Sequence, residues 1–135
     1  QDPKSQYSAF IPLFVVGILG GQELTIHGDG LQAKDFTYIS NVVEANLLAA
    51  EAEGVSGEVF NVGCGASTSV NEVVAHICKF LGAQGNIAYG PARAGDVPQS
   101  LAAIDKAREK LGYEPLVRIE KGLERVALWF RKGGK

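Results

Sequence analysis

The sequence predicts an α/β fold of four short strands and about five helices, folded as a single domain over residues 1–135. Runs with apolar residues three or four apart, typical of helices, alternate with runs in which every second residue is apolar, typical of strands. Glycines stand at the ends of several helical runs, where a helix commonly stops. The 135 residues, 46% of them hydrophobic, suffice for one domain with a core but not for two large ones.

The predicted helices are bounded by capping residues and glycines. Ser8 lies near the start of the first, and Gly20-Gly21 end it. The third begins with a capping box of Ser69 and Glu72 and ends at Gly82, and Gly112 ends the fourth. The predicted helices cover residues 8–21, 40–53, 70–81, 101–112 and 119–130.

The second helix has a predicted cap and a predicted buried face. Asn41 precedes Glu44 by three residues, the spacing of a helix N-terminus. Val43, Leu47 and Ala50 recur at helical spacing. We therefore expect Asn41 to cap the helix and the Val43, Leu47 and Ala50 stripe to face the core.

The predicted strands are short runs of alternating or continuous apolar residues. In the run of residues 57–63 the apolar centre is almost continuous, which favours a strand buried in a sheet. The run of residues 34–39 instead alternates, with Phe36 and Tyr38 on one side. The predicted strands cover residues 23–28, 34–39, 57–63 and 86–91.

Composition and charge exclude several classes of function. The 13 Lys and Arg against 15 Asp and Glu give a net charge of −2, which predicts no nucleic-acid partner. Cys64 and Cys78 make no disulfide framework, and His76 and Cys78 face different sides of one helix, so no metal site is expected. The apolar run of residues 9–20 contains Pro12 and falls short of the ~20 residues that span a bilayer. No signal peptide precedes it, so we expect a cytoplasmic protein with no membrane partner.

The stretch "VFNVGCGAST" raises the possibility of a dinucleotide-binding loop, because it predicts a strand, a glycine turn and then a helix. The fingerprint requires Gly-x-Gly-x-x-Gly, and here Gly63 and Gly65 are followed by Thr68 in place of the third glycine. The capping box already occupies the helix N-terminus. The sequence therefore favours a tight structural turn over a cofactor site.

Five stretches, in this order, carry a family resemblance: "DPKSQYSAFIPLF", "TIHGDGLQAKDFTYISNVVEA", "VFNVGCGAST", "RAGDVPQSLA" and "KAREKLGYEP". Together they resemble the C-terminal part of the NAD-dependent epimerase/dehydratase family, the extended short-chain dehydrogenases. The resemblance covers essentially the whole chain and is greatest to UDP-sugar 4-epimerases. It implies the substrate-binding part of a Rossmann-type fold.

The resemblance also implies what the chain does not supply. In the family, the glycine-rich NAD loop and the catalytic Tyr-x-x-x-Lys pair lie nearer the N-terminus. No tyrosine here has lysine four residues later, since the residues at that spacing are Ile11, Val42, Arg93 and Val117. We therefore expect no catalytic residue in this chain, no NAD bound by the chain alone and no activity in isolation. Since the sequence contains no methionine, even at position 1, we also expect a piece of a longer protein.

Five site residues follow from the resemblance. The backbone around Thr25 and His27 would meet the base and ribose of UDP. Arg93 would contact the diphosphate, and Asp96 would bind the ribose hydroxyls. Lys34 stands where most members have Arg, and it offers a point charge rather than a bidentate grip on phosphate.

Several alternatives remain open from the sequence. The parent enzyme could be a nucleotide-sugar dehydratase or decarboxylase, since those share this half. The chain could instead be a stand-alone product that binds a ligand or partner without catalysis. Because the first helix is apolar all round, we expect it either to meet the missing Rossmann half or to lie in the interface of a homodimer or larger assembly.

Overall fold

The structure, a computed structural model, describes residues 10–134 and contains helices and short strands in alternation, as an α/β fold requires. The helices are α1 (Phe10–Leu19), α2 (Ile39–Glu51), α3 (Val70–Leu81), α4 (Asp105–Leu111) and α5 (Ile119–Arg131). The strands are β1 (Glu23–His27), β2 (Ala33–Lys34), β3 (Thr68–Ser69) and β4 (Asn86–Gly90). Ser8, the predicted cap of the first helix, lies outside the described residues.

Several helix ends confirm the sequence prediction. Helix α1 ends just before Gly20-Gly21, as expected. Ser69 and Glu72 form the predicted capping box at the start of α3, with each side chain bonded to the other residue's backbone N–H. Gly82 and Gly112 end α3 and α4 in the left-handed conformation, with φ of 64° at each. Glycine adopts this conformation without steric cost, so each helix stops where the sequence predicts.

The chain divides into two compact units, each built from separated stretches. The first, here called unit 1, comprises residues 10–32, 69–98 and 120–134. In it β1 and β4 form a parallel pair in which Glu23 lies beside Asn86 and His27 beside Gly90. Helix α1 packs against α3 and β1. The buried apolar side chains of unit 1 include Phe14, Val15, Ile18, Ile26, Val73, Ile77, Leu123 and Ala127.

The second compact unit, unit 2, comprises residues 33–68 and 99–119. Its core is a cluster around the fully buried Tyr113, where α2 packs on α4. Phe60 and Val62 pack on this cluster from an extended segment. The cluster's buried members are Ala45, Ile104, Ala107, Leu111 and Tyr113. Strand β2 pairs with β3 in a second two-stranded sheet.

Two strand predictions are wrong in extent or kind. Only Ala33 and Lys34 form a strand where residues 34–39 were expected, because Asp35 turns to bind backbone groups elsewhere in unit 2. Residues 57–63 form no strand, since no other strand in the described part of the chain pairs with them, and Gly57 at their start has a positive φ of 76°. Their side chains still alternate, with Phe60 and Val62 inward and Val59 80% exposed.

Helix α2 corrects two further predictions. It begins at Ile39, so Asn41 lies inside the helix and is buried, and it is not the cap. The predicted stripe faces outward, with Val43 51% and Leu47 55% exposed. The face that packs inward is instead the one with small residues, centred on Ala45, because small side chains let α2 approach α4 closely.

Helix α4 starts later than predicted, and α1 is more buried than predicted. Helix α4 begins at Asp105, because residues 101–104 are not helical and Ile104 is buried in the core. Helix α1 buries Phe14, Val15 and Ile18 within unit 1. Leu13 and Leu19 remain about two-fifths exposed, at 42% and 41%. Self-association through this helix remains a prediction.

Candidate functional site

The glycine turn after residues 57–62 holds a carboxylate of the chain itself. One oxygen of Asp35 accepts the backbone N–H of Cys64 at 2.7 Å, and the other accepts those of Gly65 at 3.0 Å and Ala102 at 3.3 Å. A side chain at Gly63 would collide with Asp35, since a Cβ there would lie 2.6 Å from Oδ2. The prediction of a structural turn is consistent with this geometry.

An NAD pyrophosphate does not fit this turn as it stands. The N–H groups that would face a phosphate already bond to Asp35, and those at the start of α3 bond within the capping box. A third glycine is also missing, because Thr68 stands in its place. The turn of residues 63–65 therefore serves the interior of unit 2.

Buried thiol and hydroxyl groups surround the same turn without forming a reactive centre. Burial, and then the charge of Asp35, raise the pKa of the Cys64 thiol, which keeps it protonated and unreactive. Burial also raises the pKa of Tyr113, whose hydroxyl donates to the Gly63 carbonyl at 2.8 Å. In residues 10–134 no three His, Cys, Asp or Glu side chains gather as metal ligands.

In unit 1, four of the five predicted site residues lie on or next to the parallel pair of β1 and β4. Thr25 and His27 belong to β1, and Arg93 and Asp96 belong to the loop that follows β4. The loop stays close to β1, since the His27 ring lies 3.3 Å from the Pro91 carbonyl. Ligands commonly bind beyond the carboxyl ends of parallel strands, which is where this loop begins.

One edge of β1 offers unpaired backbone groups. The Gly28 N–H donates to Gly90 of β4 at 3.0 Å, so the backbone groups of Gly28 point toward β4. Because these groups alternate along a strand, those of Thr25 and His27 point to the opposite edge. No strand pairs with that edge among the residues described here. Within residues 10–134, the His27 carbonyl is the one group of this edge with a partner, the Gln32 amide at 2.7 Å.

Arg93 and Asp96 occupy one exposed turn, closed by the Asp96 N–H donating to the Arg93 carbonyl at 3.3 Å. Gly95 supplies the positive φ of 87° that this turn requires. Neither side chain bonds to another residue within 10–134, which leaves a cation and an anion available to a ligand. Lys34 is also exposed but belongs to unit 2, in strand β2.

The turn after β1 contains residues that the sequence prediction missed. The Asn71 side chain donates to the Asp29 carbonyl at 3.0 Å and accepts the Tyr89 hydroxyl at 3.1 Å. A Cβ at Gly30 would lie 2.0 Å from Asn71 Oδ1, so the fit requires glycine. The Asp29 side chain accepts the Leu31 N–H at 2.9 Å within this turn. Only the closely spaced glycines of "GDG" signal this clamp in the sequence.

Comparison with known proteins supports the resemblance. A sequence model of the NAD dependent epimerase/dehydratase family matches residues 1–63. The chain superposes with a TM-score of 0.91 on a crystal structure of UDP-glucose 4-epimerase with UDP-glucose from Thermotoga maritima. The two are 40% identical, over 98% of this chain and 42% of that one. The chain is similar to the C-terminal part of members of this family.

Other epimerase-family relatives differ in the reaction that their names state. The chain is 33% identical to UDP-glucose 4-epimerase of Mycolicibacterium smegmatis, over 97% of this chain and 41% of the relative. It is 32% identical to UDP-N-acetyl-alpha-D-glucosaminuronate decarboxylase of Bacillus cytotoxicus, over 93% and 41%. The chain thus spans about two-fifths of the length of these relatives and corresponds to their C-terminal part. Solved structures of other relatives contain NAD together with a UDP-sugar.

Proposed function

We propose that this chain is the nucleotide-sugar-binding part of an NAD-dependent sugar-nucleotide 4-epimerase, with a UDP-sugar as its ligand. The supporting observation is the arrangement in unit 1. The unpaired edge of β1 and the free side chains of Arg93 and Asp96 belong to one parallel strand pair and the loop after it. The edge offers backbone groups for the base, Arg93 offers a cation for the diphosphate, and Asp96 offers an acceptor for the ribose hydroxyls.

The edge of β1 suits the base. Thr25 C=O and His27 N–H can bond a group that carries a donor beside an acceptor, as a neighbouring parallel strand would. The imide edge of uracil carries N3–H beside a carbonyl oxygen. Uracil would therefore bind beside β1 as a third strand would, with Thr25 and His27 forming hydrogen bonds to it through their backbone groups.

Arg93, Asp96 and Lys34 supply the charges in this proposal. The Arg93 guanidinium would bond the diphosphate, which it can contact through two N–H groups at once. Asp96 would accept bonds from the ribose hydroxyls. Lys34 would neutralise phosphate as a point charge.

The reaction itself would depend on residues equivalent to the N-terminal part of the relatives. This chain contributes substrate binding, and NAD and the catalytic Tyr-x-x-x-Lys pair would come from that part. A nucleotide-sugar dehydratase or decarboxylase is the alternative, since the similarity extends to a decarboxylase. A stand-alone binding protein is the other alternative. The two free cysteines fit a cytoplasmic location.

The partner in this proposal is that same N-terminal part, and it would dock on unit 2 at α2. Ile39, Val43 and Leu47 recur every four residues there and are 66%, 51% and 55% exposed. The extended segment of residues 58–63 also has backbone groups without strand partners. Both features lie within the residues that the family model matches. The alternative occupant is a second copy of the chain, which would give a homodimer.

Titration of the chain with UDP, followed by calorimetry or NMR, tests the binding proposal. Arg93→Ala should weaken UDP binding by about 1–2 kcal/mol, roughly the value of a charge-assisted hydrogen bond. Arg131→Ala, at the exposed end of α5, is the matched control and should leave the affinity unchanged. Equal affinity in both variants would remove Arg93 from the site.

Light scattering and mixing experiments test the docking proposal. The N-terminal part of the Thermotoga maritima relative should form a complex with this chain, and Val43→Glu should abolish it. Leu116→Glu is the control, because Leu116 is 79% exposed but lies outside α2. A homodimer of the chain alone that Val43→Glu dissociates would instead identify a second copy as the occupant.

A further inference from the structure

Gln32 follows β1 by five residues, and its side chain returns to that strand. Its amide nitrogen donates to the His27 carbonyl at 2.7 Å, in a partly buried position. That carbonyl is the last backbone group on the unpaired edge of β1. The contact therefore decides which groups of the edge remain available to a ligand.

The surroundings hold Gln32 firmly in this position. Its own carbonyl accepts the Val70 N–H at 3.1 Å, and the Gly30 carbonyl accepts the Asn71 N–H at 3.0 Å. The first residues of α3 thus fix both ends of the short segment that leads to Gln32. The side chain reaches His27 from a backbone that has little freedom to move.

With the His27 carbonyl occupied, the edge presents a fixed order of groups. Thr25 N–H is a donor, Thr25 C=O an acceptor and His27 N–H a donor. The complementary ligand edge is acceptor, donor, acceptor, which is the order of O2, N3–H and O4 in uracil or thymine. Cytosine has an acceptor at N3, so its central group would face the Thr25 carbonyl and lose that bond.

We propose that Gln32 is a positioning residue that sets base selectivity, favouring bases with an imide edge over cytosine. This inference rests on the proposed function, since it concerns the same nucleotide site. Without the Gln32 amide, the His27 carbonyl would become a free acceptor next to the His27 N–H. That pair would match the amino group and N3 of cytosine, and the preference for uracil would fall.

Calorimetric titration of the chain with UDP and with CDP tests this. The wild-type chain should bind UDP more tightly than CDP. Gln32→Ala should leave the three bonds to uracil in place and change UDP affinity by less than about 2-fold. CDP should gain a bond from its amino group to the freed His27 carbonyl and bind about 3- to 10-fold more tightly, the range expected for one neutral hydrogen bond, so the ratio of the two affinities should fall at least about 3-fold. Gln32→Glu should change the two affinities as Gln32→Ala does, because its carboxylate cannot donate to the His27 carbonyl.

Gln84→Ala is the matched control, because Gln84 is exposed and lies outside the strand pair. Amide NMR spectra would show that each variant keeps the fold. Equal weakening of UDP and CDP binding, or an unchanged ratio, would overturn the role of Gln32 alone. If the wild-type chain bound neither nucleotide, the proposed function and this role would fall together.

Discussion

Asn41 joins two segments of unit 2 that are far apart in sequence, and its replacement should be costly. Its amide nitrogen donates to the Val117 carbonyl at 2.8 Å, and its oxygen accepts the Val117 N–H at 3.0 Å. Asn41 is only 2% exposed, so water reaches neither bond easily. Asn41→Ala would leave the Val117 N–H buried and unpaired, and the Val117 carbonyl with only the weak Cys64 thiol donor at 3.9 Å.

The size of the loss follows from those two groups. An unpaired buried polar group costs about 1–3 kcal/mol, so the pair should cost about 2–6 kcal/mol. A domain is stable by only about 5–15 kcal/mol. Urea unfolding followed by circular dichroism would measure the change, and with a slope of about 1–3 kcal/mol per molar the midpoint should fall by about 1 M or more.

Asn46→Ala provides the control within the same helix. Asn46 is exposed and bonds only to the Val42 carbonyl of its own helix, at 2.7 Å. Both substitutions change helix propensity equally, so the difference between them isolates the contact with Val117. Asn46→Ala should cost less than about 0.5 kcal/mol. If the two variants unfolded within about 0.5 kcal/mol of each other, the link to Val117 would contribute no measurable stability.

Three further predictions concern the Asp35 side chain, the Ser69–Glu72 capping box and the two cysteines. Asp35→Asn should destabilise the protein by about 2 kcal/mol in urea unfolding, since an amide nitrogen would face backbone N–H groups; a loss below about 0.5 kcal/mol would contradict this. Bonds from Ser69 hold the pKa of Glu72 below its usual 4.5, so this contribution to stability is present above pH 4.5 and disappears as the pH falls through the lowered value. Ser69→Ala should therefore reduce stability at pH 7 and flatten its decline in acid, and an unchanged pH profile would argue against the cap. Thiol titration should modify the partly exposed Cys78 before the buried Cys64, and faster reaction of Cys64 would show that its burial is transient.

Much of unit 1 could be predicted from the sequence, because its signals are local. The capping box of Ser69 and Glu72, the helix-ending Gly82 and the alternation in β1 each depend on residues only a few positions apart. The role of Asn41 gave no such signal, since its partner lies 76 residues away. A polar residue near a helix start predicts a cap unless the tertiary contact is known.

Helix α2 shows a second limit of pattern analysis. Periodicity reveals that Val43 and Leu47 share a face, but α2 has apolar residues on the opposite face too. Which face is buried depends on α4, and the side centred on Ala45 allows the closer approach. The segment of residues 57–63 is similar, because alternation predicts extended backbone, whereas a strand also requires a neighbour.

The candidate site was predictable only in part. Arg93, Asp96, Lys34, Thr25 and His27 came from the family resemblance, and their roles with UDP remain predictions. The sequence could not show that Thr25 and His27 turn their backbone groups away from β4, since that depends on the register of the pair. Nor could it show that Gln32 reaches the His27 carbonyl, because a turn of four residues separates them.

The interleaving of the two units has a consequence for how the protein is made. The chain passes between unit 1 and unit 2 four times, and each unit needs residues from beyond position 115. On the ribosome the N-terminal segments emerge first, yet Asn41 must wait for Val117 and the early helices must wait for α5. Vectorial synthesis can therefore complete unit 2 only once residue 119 has emerged, and unit 1 only after α5 follows. Until then the nascent chain carries incomplete cores, and chaperones that shield apolar surface should act on it.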